Sequence, residues 1–311
     1  MSTGFYTHTD CTLHEMGPGH PECPQRLAAI EDRLIAAGIA PWLERHDDAP
    51  LATVEALERA HSALHVLDIR QRGRVEQGHV WIDSDTLMNP YTWQAALRAA
   101  GMAIAATDAV IDRRLRNAFC AVRPPGHHAT RDQAMGFCFF GNVAVAARHA
   151  LDVRGLERIA IADFDVHHGN GTEDIFRGDE RALMVSFFQH PFYPYCGADD
   201  PQPNMLNVPV PAYTKGDAVR RIVTDQWLPR LREFAPQMLF ISAGFDAHRE
   251  DDMGQLGLVE ADYAWITRQL VAFADAQCGG RIVSCLEGGY NLDALGRSVA
   301  EHLRVLAALD E

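Results

Sequence analysis

Short apolar runs and stretches with an apolar residue every three or four positions follow one another along most of the chain. The short runs at Ala118–Val122, Ile159–Ala162, Leu183–Phe187, Met238–Ser242 and Ile282–Leu286 predict buried strands. The longer spacing predicts helices over Asn142–Leu151, Lys215–Phe234, Glu260–Ala276 and Leu292–Leu309. Ahead of these, a helix is predicted from Pro24 to Ala37, with Leu27, Ile30, Leu34 and Ile35 on its buried stripe and Gly38 as its stop. A shorter helix is expected over Thr53–Ala60 and a long one over Tyr91–Arg114. Residues 4–26 and Arg70–Asn89 predict loops, and the Pro-rich Pro191–Pro211 is the longest irregular segment, expected to be functional. Strands alternating with helices imply right-handed crossovers and a parallel sheet covered on both faces. No internal repeat or Ser/Gly linker interrupts the pattern, so residues 1–311 are expected to form a single α/β domain.

Composition narrows the function classes. Lys and Arg total 28 against 42 for Asp and Glu, a formal charge of −14 that argues against binding nucleic-acid phosphates. The same charge favours a cationic substrate, although acidic surfaces also serve solubility. Seven cysteines, an odd number with no C-x-x-C pair, suit reduced thiols in a cytoplasmic protein. No basic-then-apolar leader and no apolar run near the ~20 residues of a membrane span is present. The expectation is a soluble cytoplasmic protein with neither nucleic-acid nor membrane partner; an oligomer is compatible with the sequence.

Polar clusters follow four of the predicted strands. Ala118–Val122 runs into Arg123-Pro-Pro-Gly-His-His128, Ile159–Ala162 into Asp163-Phe-Asp-Val-His167, Met238–Ser242 into Ala243-Gly-Phe-Asp246, and Ile282–Leu286 into Glu287-Gly-Gly-Tyr290. Open parallel sheets place their ligand sites at this carboxyl edge. If the strand extends to His167, Asp163, Asp165 and His167 share one side and His168 takes the other. Asp165, His167 and Asp246 would give a divalent ion three oxygen and nitrogen ligands, leaving positions open for water and substrate. His127 and His128 would supply general base and general acid, and Tyr290 would donate its hydroxyl to a developing oxyanion. No Gly-x-Ser-x-Gly elbow is present, and no cysteine near the clusters has an evident histidine partner, so a covalent nucleophile is not expected. Each cluster alone has a commoner structural reading: a turn, a helix cap or a packed ring. Their coincidence on one rim points to metal-assisted amide hydrolysis. His168 is expected to be a buried histidine bonded to backbone, and His8, His46, His61, His65, His79, His149 and His302 to be ordinary.

Arg123-Pro-Pro-Gly-His-His-Ala129, Asp163-Phe-Asp-Val-His-His-Gly-Asn-Gly-Thr172, Ser242-Ala-Gly-Phe-Asp246 and Glu287-Gly-Gly-Tyr290 resemble, in this order, the zinc-dependent histone deacetylase family. His20-Pro-Glu-Cys-Pro-Gln-Arg26 resembles its N-terminal signature, and the likeness spans roughly His14 to Leu306. It implies the arginase-like α/β fold with long active-site loops. It further implies zinc on Asp165, His167 and Asp246, and proton transfer by His127 and His128, with His128 as general base. Tyr290 would polarise the acyl carbonyl, and Asp163 would partner His127. A monovalent cation, potassium, would sit with Asp163, Asp165, His167, Ser186 and Phe187. Phe137 would form one wall of an acyl-lysine tunnel, Phe192 or Tyr193 the other, with Gly136 lining the same channel and Arg26 near an acetate exit. Asn170 stands where class I members carry an aspartate paired to the second histidine, as in class II members. Asp83 or Asp85 in Trp81-Ile-Asp-Ser-Asp85 would hold the substrate backbone.

The implied activity is removal of acetyl, or another short acyl group, from lysine side chains of a protein or peptide. Acetylated small amines are the rival substrates: polyamine-preferring members tend to carry an acidic gatekeeper where this chain has Met253, yet Glu250, Asp251 and Asp252 lie beside it. A non-catalytic acyl-lysine binding protein is the alternative from another class, and it has no need for paired proton-transfer histidines.

Overall fold

The structure is a computed structural model that describes residues 1–199 and 201–310. Its strands are β1 (Thr3–Tyr6), β2 (Leu43–His46), β3 (Val80–Trp81), β4 (Leu87–Met88), β5 (Asn117–Cys120), β6 (Ile159–Asp163), β7 (Ala182–Gln189), β8 (Met205–Val210), β9 (Leu239–Ala243) and β10 (Ile282–Leu286). Its helices are α1 (Asp10–Leu13), α2 (Gln25–Ala36), α3 (Val54–Glu58), α4 (Ala63–Arg72), α5 (Thr92–Ile111), α6 (Asn142–Asp152), α7 (Asn170–Phe176), α8 (Gly216–Ile222), α9 (Leu228–Phe234), α10 (Glu260–Gln277) and α11 (Leu292–Leu306). Eight strands form one sheet in the order β2-β1-β5-β10-β9-β6-β7-β8, with every neighbouring pair parallel. The central strands β5, β6, β9 and β10 are buried at every position, as a sheet covered on both faces requires.

Side-chain alternation shows how the faces are covered. On β5, Asn117 donates to the Leu306 carbonyl at the end of α11, and Phe119 meets the His302 ring of α11 edge-on at 5.5 Å. Helices α2 and α10 pack beside α11. The alternate residues, Ala118 and Cys120, face the other way, where α5 and α6 lie against the sheet and each other. Helix α5 buries seven alanines, which lets it lie flat and close.

The five predicted strands are present within a few residues, and so is each predicted helix, with one break. Lys215–Phe234 divides into α8, a single wide turn over Val223–Trp227, and α9. Pro229 has no N–H to donate back along the helix, so the turn before it opens. Ile35 is 68% exposed, contrary to expectation, because Leu27, Ile30 and Leu34 already complete the stripe. Residues 4–26 contain most of β1 and the short α1, where a loop was expected. Arg70–Asn89 likewise holds the end of α4 and the hairpin β3–β4. Helix α4 carries no legible stripe because Leu64 and Leu67 point outward, and Pro191–Pro211 contains β8. Among the described residues, no helix is long and apolar enough to cross a membrane.

Candidate active site

The four motif-bearing strands are adjacent in the sheet, β5-β10-β9-β6. From β6 the chain moves on to β7 on one side, and from β9 to β10 on the other, so the strand order switches between β6 and β9 and a crevice opens above the strand ends there. Strand β6 stops at Asp163, so its alternation does not carry through to His167 as expected. The backbone bends, and the carboxylates organise the bend: Asp163 Oδ1 accepts from the Asp165 amide at 3.1 Å, and Asp165 Oδ1 from the His167 amide at 2.8 Å.

Asp165, His167 and Asp246 each offer one atom, all within 4.8 Å of one another. His167 Nδ1 lies 3.0 Å from Asp165 Oδ1 and 3.3 Å from Asp246 Oδ2. Asp246 Oδ1 accepts from the Val166 amide, whereas its Oδ2 is buried without a hydrogen-bond partner. Burial and then the charge of Asp165 lift the Asp246 carboxyl to about 7. Burial also opposes charge on Asp165, but His127 and His167 outweigh it and hold that carboxyl below its ordinary range. Two crowded carboxylates and one imidazole, with an orphaned oxygen aimed between them, fit a divalent cation. The backbone has been cleared for them, since a Cβ on Gly288 would overlap both carboxylates.

The paired histidines are driven apart electrostatically. His127 Nδ1 lies 3.0 Å from Asp163 Oδ2. Burial works against its charge, but Asp165 and Asp163 prevail and raise the imidazole well above its usual range. His128 Nδ1 sits 2.7 Å from Asn170 Oδ1, an acceptor that places the proton on Nδ1 and leaves Nε2 free to take one. Burial, then His127 and His167, push His128 well below its usual range. Two neighbouring titratable groups separated in this way divide naturally into an acid and a base.

A cavity of about 220 Å³ stands over the triad, lined by His128, His167 and Tyr290 at depth. Phe137 meets Tyr290 edge-on at 5.9 Å. Both residues proposed for the opposite wall are present: Phe192 stacks on His167 at 5.4 Å, and Tyr193 meets His128 edge-on at 5.2 Å. Gly136 and Phe137 both have left-handed backbones, φ +54° and +68°, and a Cβ at Gly136 would overlap the His128 ring. Asp85, Asp252 and Met253 complete the mouth. Asp83 is spent on its own turn, accepting from the amides of Asp85 and Thr86, so of the two candidates Asp85 faces the cavity. The remaining candidates lie behind the lining. Arg26 is fully buried beneath Tyr290, its guanidinium 4.8 Å from the ring centre. Ser186, the register partner of Asp163, and Phe187 lie on β7.

Several supporting residues carried no sequence signal beyond their motifs. Glu287 accepts from the Gly126 and His127 amides at 2.6 and 3.0 Å, tying the two-histidine loop to β10, and burial lifts its carboxyl to about 7. Asp251 accepts from the amides of Tyr290, Asn291 and Met253, so one carboxylate sets both the tyrosine and the rim. Glu22 pairs with Arg123 and Arg26, and Arg26 donates to the Glu287 and Gly289 carbonyls. His168 departs from expectation: its Nε2 lies 2.9 Å from the Glu173 carboxylate rather than on backbone, and Nδ1 lies 3.7 Å from Cys196 Sγ. One cysteine near the clusters therefore does lie against a histidine: Cys196, from the irregular loop between β7 and β8.

The histone deacetylase domain matches residues 20–306. This chain belongs to the histone deacetylase family. It is 36% identical to the probable deacetylase of Archaeoglobus fulgidus over 99% of this chain and 86% of that one. It is 35% identical to the histone deacetylase-like amidohydrolase of Pseudomonas aeruginosa over 93% and 82%, and 36% identical to the chloroplastic histone deacetylase 14 of Arabidopsis thaliana over 94% and 74%. The crystal structure of the HDA15 HD domain superposes with a TM-score of 0.93 at 34% identity, covering 99% of this chain and 88% of that one. Metal dependence is general in histone deacetylases, and the Asp165–His167–Asp246 triad fits it.

Proposed function

We propose that this histone deacetylase-family hydrolase is a zinc-dependent amidohydrolase removing acetyl or another short acyl group from lysine side chains. The observation that carries the reading is the joining, in one cavity, of a three-ligand cation site with two histidines of opposite protonation tendency. Asp165, His167 and Asp246 would hold zinc, which when bound would polarise the amide carbonyl and lower the pKa of a water molecule. His128 Nε2 takes the proton of the attacking water, while Asn170 holds the ring through Nδ1. His127, kept protonated by Asp163, stabilises the anionic centre from behind, and a protonated His128 returns its proton to the leaving amine. Burial holds the Tyr290 hydroxyl far above its usual range, so it stays a donor to the carbonyl oxygen. Phe137 and Tyr193 exclude water from the alkyl chain. Asp163, Asp165, His167, Ser186 and Phe187 would hold potassium behind the triad, a reading supported by the pairing of Asp163 with Ser186 across adjacent strands. The seven free thiols support a cytoplasmic setting. Acetate release from an acetyl-lysine peptide by the zinc-loaded protein tests the reading; no release, together with no binding of a hydroxamate, would refute it.

A further inference from the structure

Asn170 holds the ring that takes the proton, and an amide can face that ring in two ways. With Oδ1 towards His128 Nδ1, at 2.7 Å, the ring carries its proton on Nδ1 and Nε2 is free. Turned over, the Nδ2 group would donate to Nδ1 and drive the ring proton onto Nε2, the nitrogen that has to be vacant before a water can be deprotonated. A carboxylate at residue 170 would have no wrong end. An amide there leaves one rotation for its surroundings to fix.

Little else about Asn170 is free. Its backbone amide donates to the His168 carbonyl at 2.8 Å. The next two amides, of Gly171 and Thr172, donate to the His127 carbonyl at 2.9 and 3.2 Å, so the start of α7 is docked on the histidine loop. What meets Nδ2 is Met135: its Sδ accepts at 3.4 Å, with the His128 carbonyl at 3.5 Å. A flipped amide would set its oxygen against both of these acceptors. The sulfur is also held in place, because Met135 and Cys138 exchange backbone hydrogen bonds of 3.1 and 2.9 Å across the turn that carries Gly136 and Phe137. Met135 and Asn170 are both partly exposed, where water would otherwise compete for the amide. Water can satisfy either end of an amide, whereas a thioether has no hydrogen to give and satisfies only the NH2 end. Met135 does not line the cavity. We propose that Met135 is a positioning residue: its sulfur selects the Asn170 orientation that leaves His128 Nε2 vacant. This rests on the amidohydrolase reading and deepens it by one side chain that lies outside the cavity.

Leucine matches methionine in size but offers no acceptor. Met135→Leu in the zinc-loaded protein should lower kcat for an acetyl-lysine peptide about 5-fold, the worth of one weak hydrogen bond, with KM nearly unchanged. The same substitution in the Asn170→Asp chain should cost nothing further, because a carboxylate has no end to choose. An unchanged kcat, equal losses in the two chains, or a change confined to KM would overturn the proposal; the last two would assign Met135 to the shape of the tunnel turn. The second readout needs no turnover. In protein carrying isotope-labelled histidine at mildly alkaline pH, NMR reads the ring tautomers, and the His128 signals are found by their loss in His128→Ala. Wild type should carry the ring proton on Nδ1 alone, and Met135→Leu should show both tautomers. A ring that keeps its proton on Nδ1 in Met135→Leu, or a mixture already present in wild type, overturns the proposal whatever the rates do. The tautomer decides the matter where Asn170→Asp is too slow to measure. A shifted tautomer in a protein that hydrolyses nothing keeps the positioning role and refutes the hydrolysis.

Discussion

Two sets of buried histidines flank this sheet and differ in what they face: in the first all are held neutral, while in the second His127 and His167 are raised and only His128 is lowered. His61, His65 and His302 meet neutral partners: His61 Nδ1 lies 2.8 Å from the Thr130 carbonyl, His65 Nε2 2.8 Å from the Phe139 carbonyl, and His302 lies between the hydroxyls of Thr267 and Ser284. Burial pushes His61 and His302 down to about 3, so they remain neutral braces. His127, His128 and His167 are as enclosed, but they face carboxylates and a cavity. Burial also opposes charge on His167, yet Asp165 and Asp246 lift it to about 10. Burial by itself therefore does not mark a histidine as functional; the charge of its partners and an opening beside it do.

The comparison breaks most sharply at the triad. Asp246→Asn keeps an acceptor for the Val166 amide but removes the charge, and kcat/KM should fall about 10³-fold or more with the fold retained by circular dichroism. His128→Ala should lower kcat about 10²–10⁴-fold and barely move the melting temperature. Tyr290→Phe should cost roughly 10²-fold in kcat with KM nearly unchanged, a split that steady-state kinetics resolves. A smaller loss, about 10-fold in kcat, is expected for Asp251→Asn, because a neutral amide oxygen holds the Tyr290 and Asn291 amides less firmly. If Asp251→Asn equalled Tyr290→Phe, that carboxylate would be doing more than positioning.

The structural histidines give the converse result, with the least effect on rate. His302 has a folded-state value below its unfolded one, so the unfolded chain binds more protons between the two. Its stabilising contribution is complete only well above pH 6.5, where the unfolded imidazole is neutral, and drains away as the pH falls towards 3. Between pH 6.5 and 4.5 the loss amounts to roughly 2 kcal/mol, at up to about 1.4 kcal/mol per unit once the unfolded imidazole is fully protonated. His302→Asn should flatten that part of the urea-midpoint profile while leaving kcat above pH 7 alone. A steep acid limb surviving in the variant would assign the acid sensitivity elsewhere, His61 first.

The sequence was legible where one motif followed one buried strand. The runs ending at Cys120, Asp163, Ala243 and Leu286 carry their own punctuation, and their neighbouring positions in the sheet account for why the motifs meet. It was silent where a contact joins distant segments through backbone. Nothing in the spacing ties Glu287 to the amides of residues 126 and 127, or His61 to the Gly141 amide, across 80 positions. Strands β1 and β2 escaped because they have four residues each and mix polarities, β8 because Asn207 and Pro209 interrupt its apolar run, and α4 because its leucines face outward. Cys196 came to His168 through a loop with no periodicity to read.

Zinc titration into the metal-stripped protein, with bound metal and acetate release from an acetyl-lysine peptide followed together, addresses the triad directly. Hydrolysis should rise in proportion to bound zinc and level off at one equivalent per chain, and Asp246→Asn should abolish both. Full activity in the stripped protein, or one equivalent of tightly bound zinc with no hydrolysis at any concentration, would contradict the account.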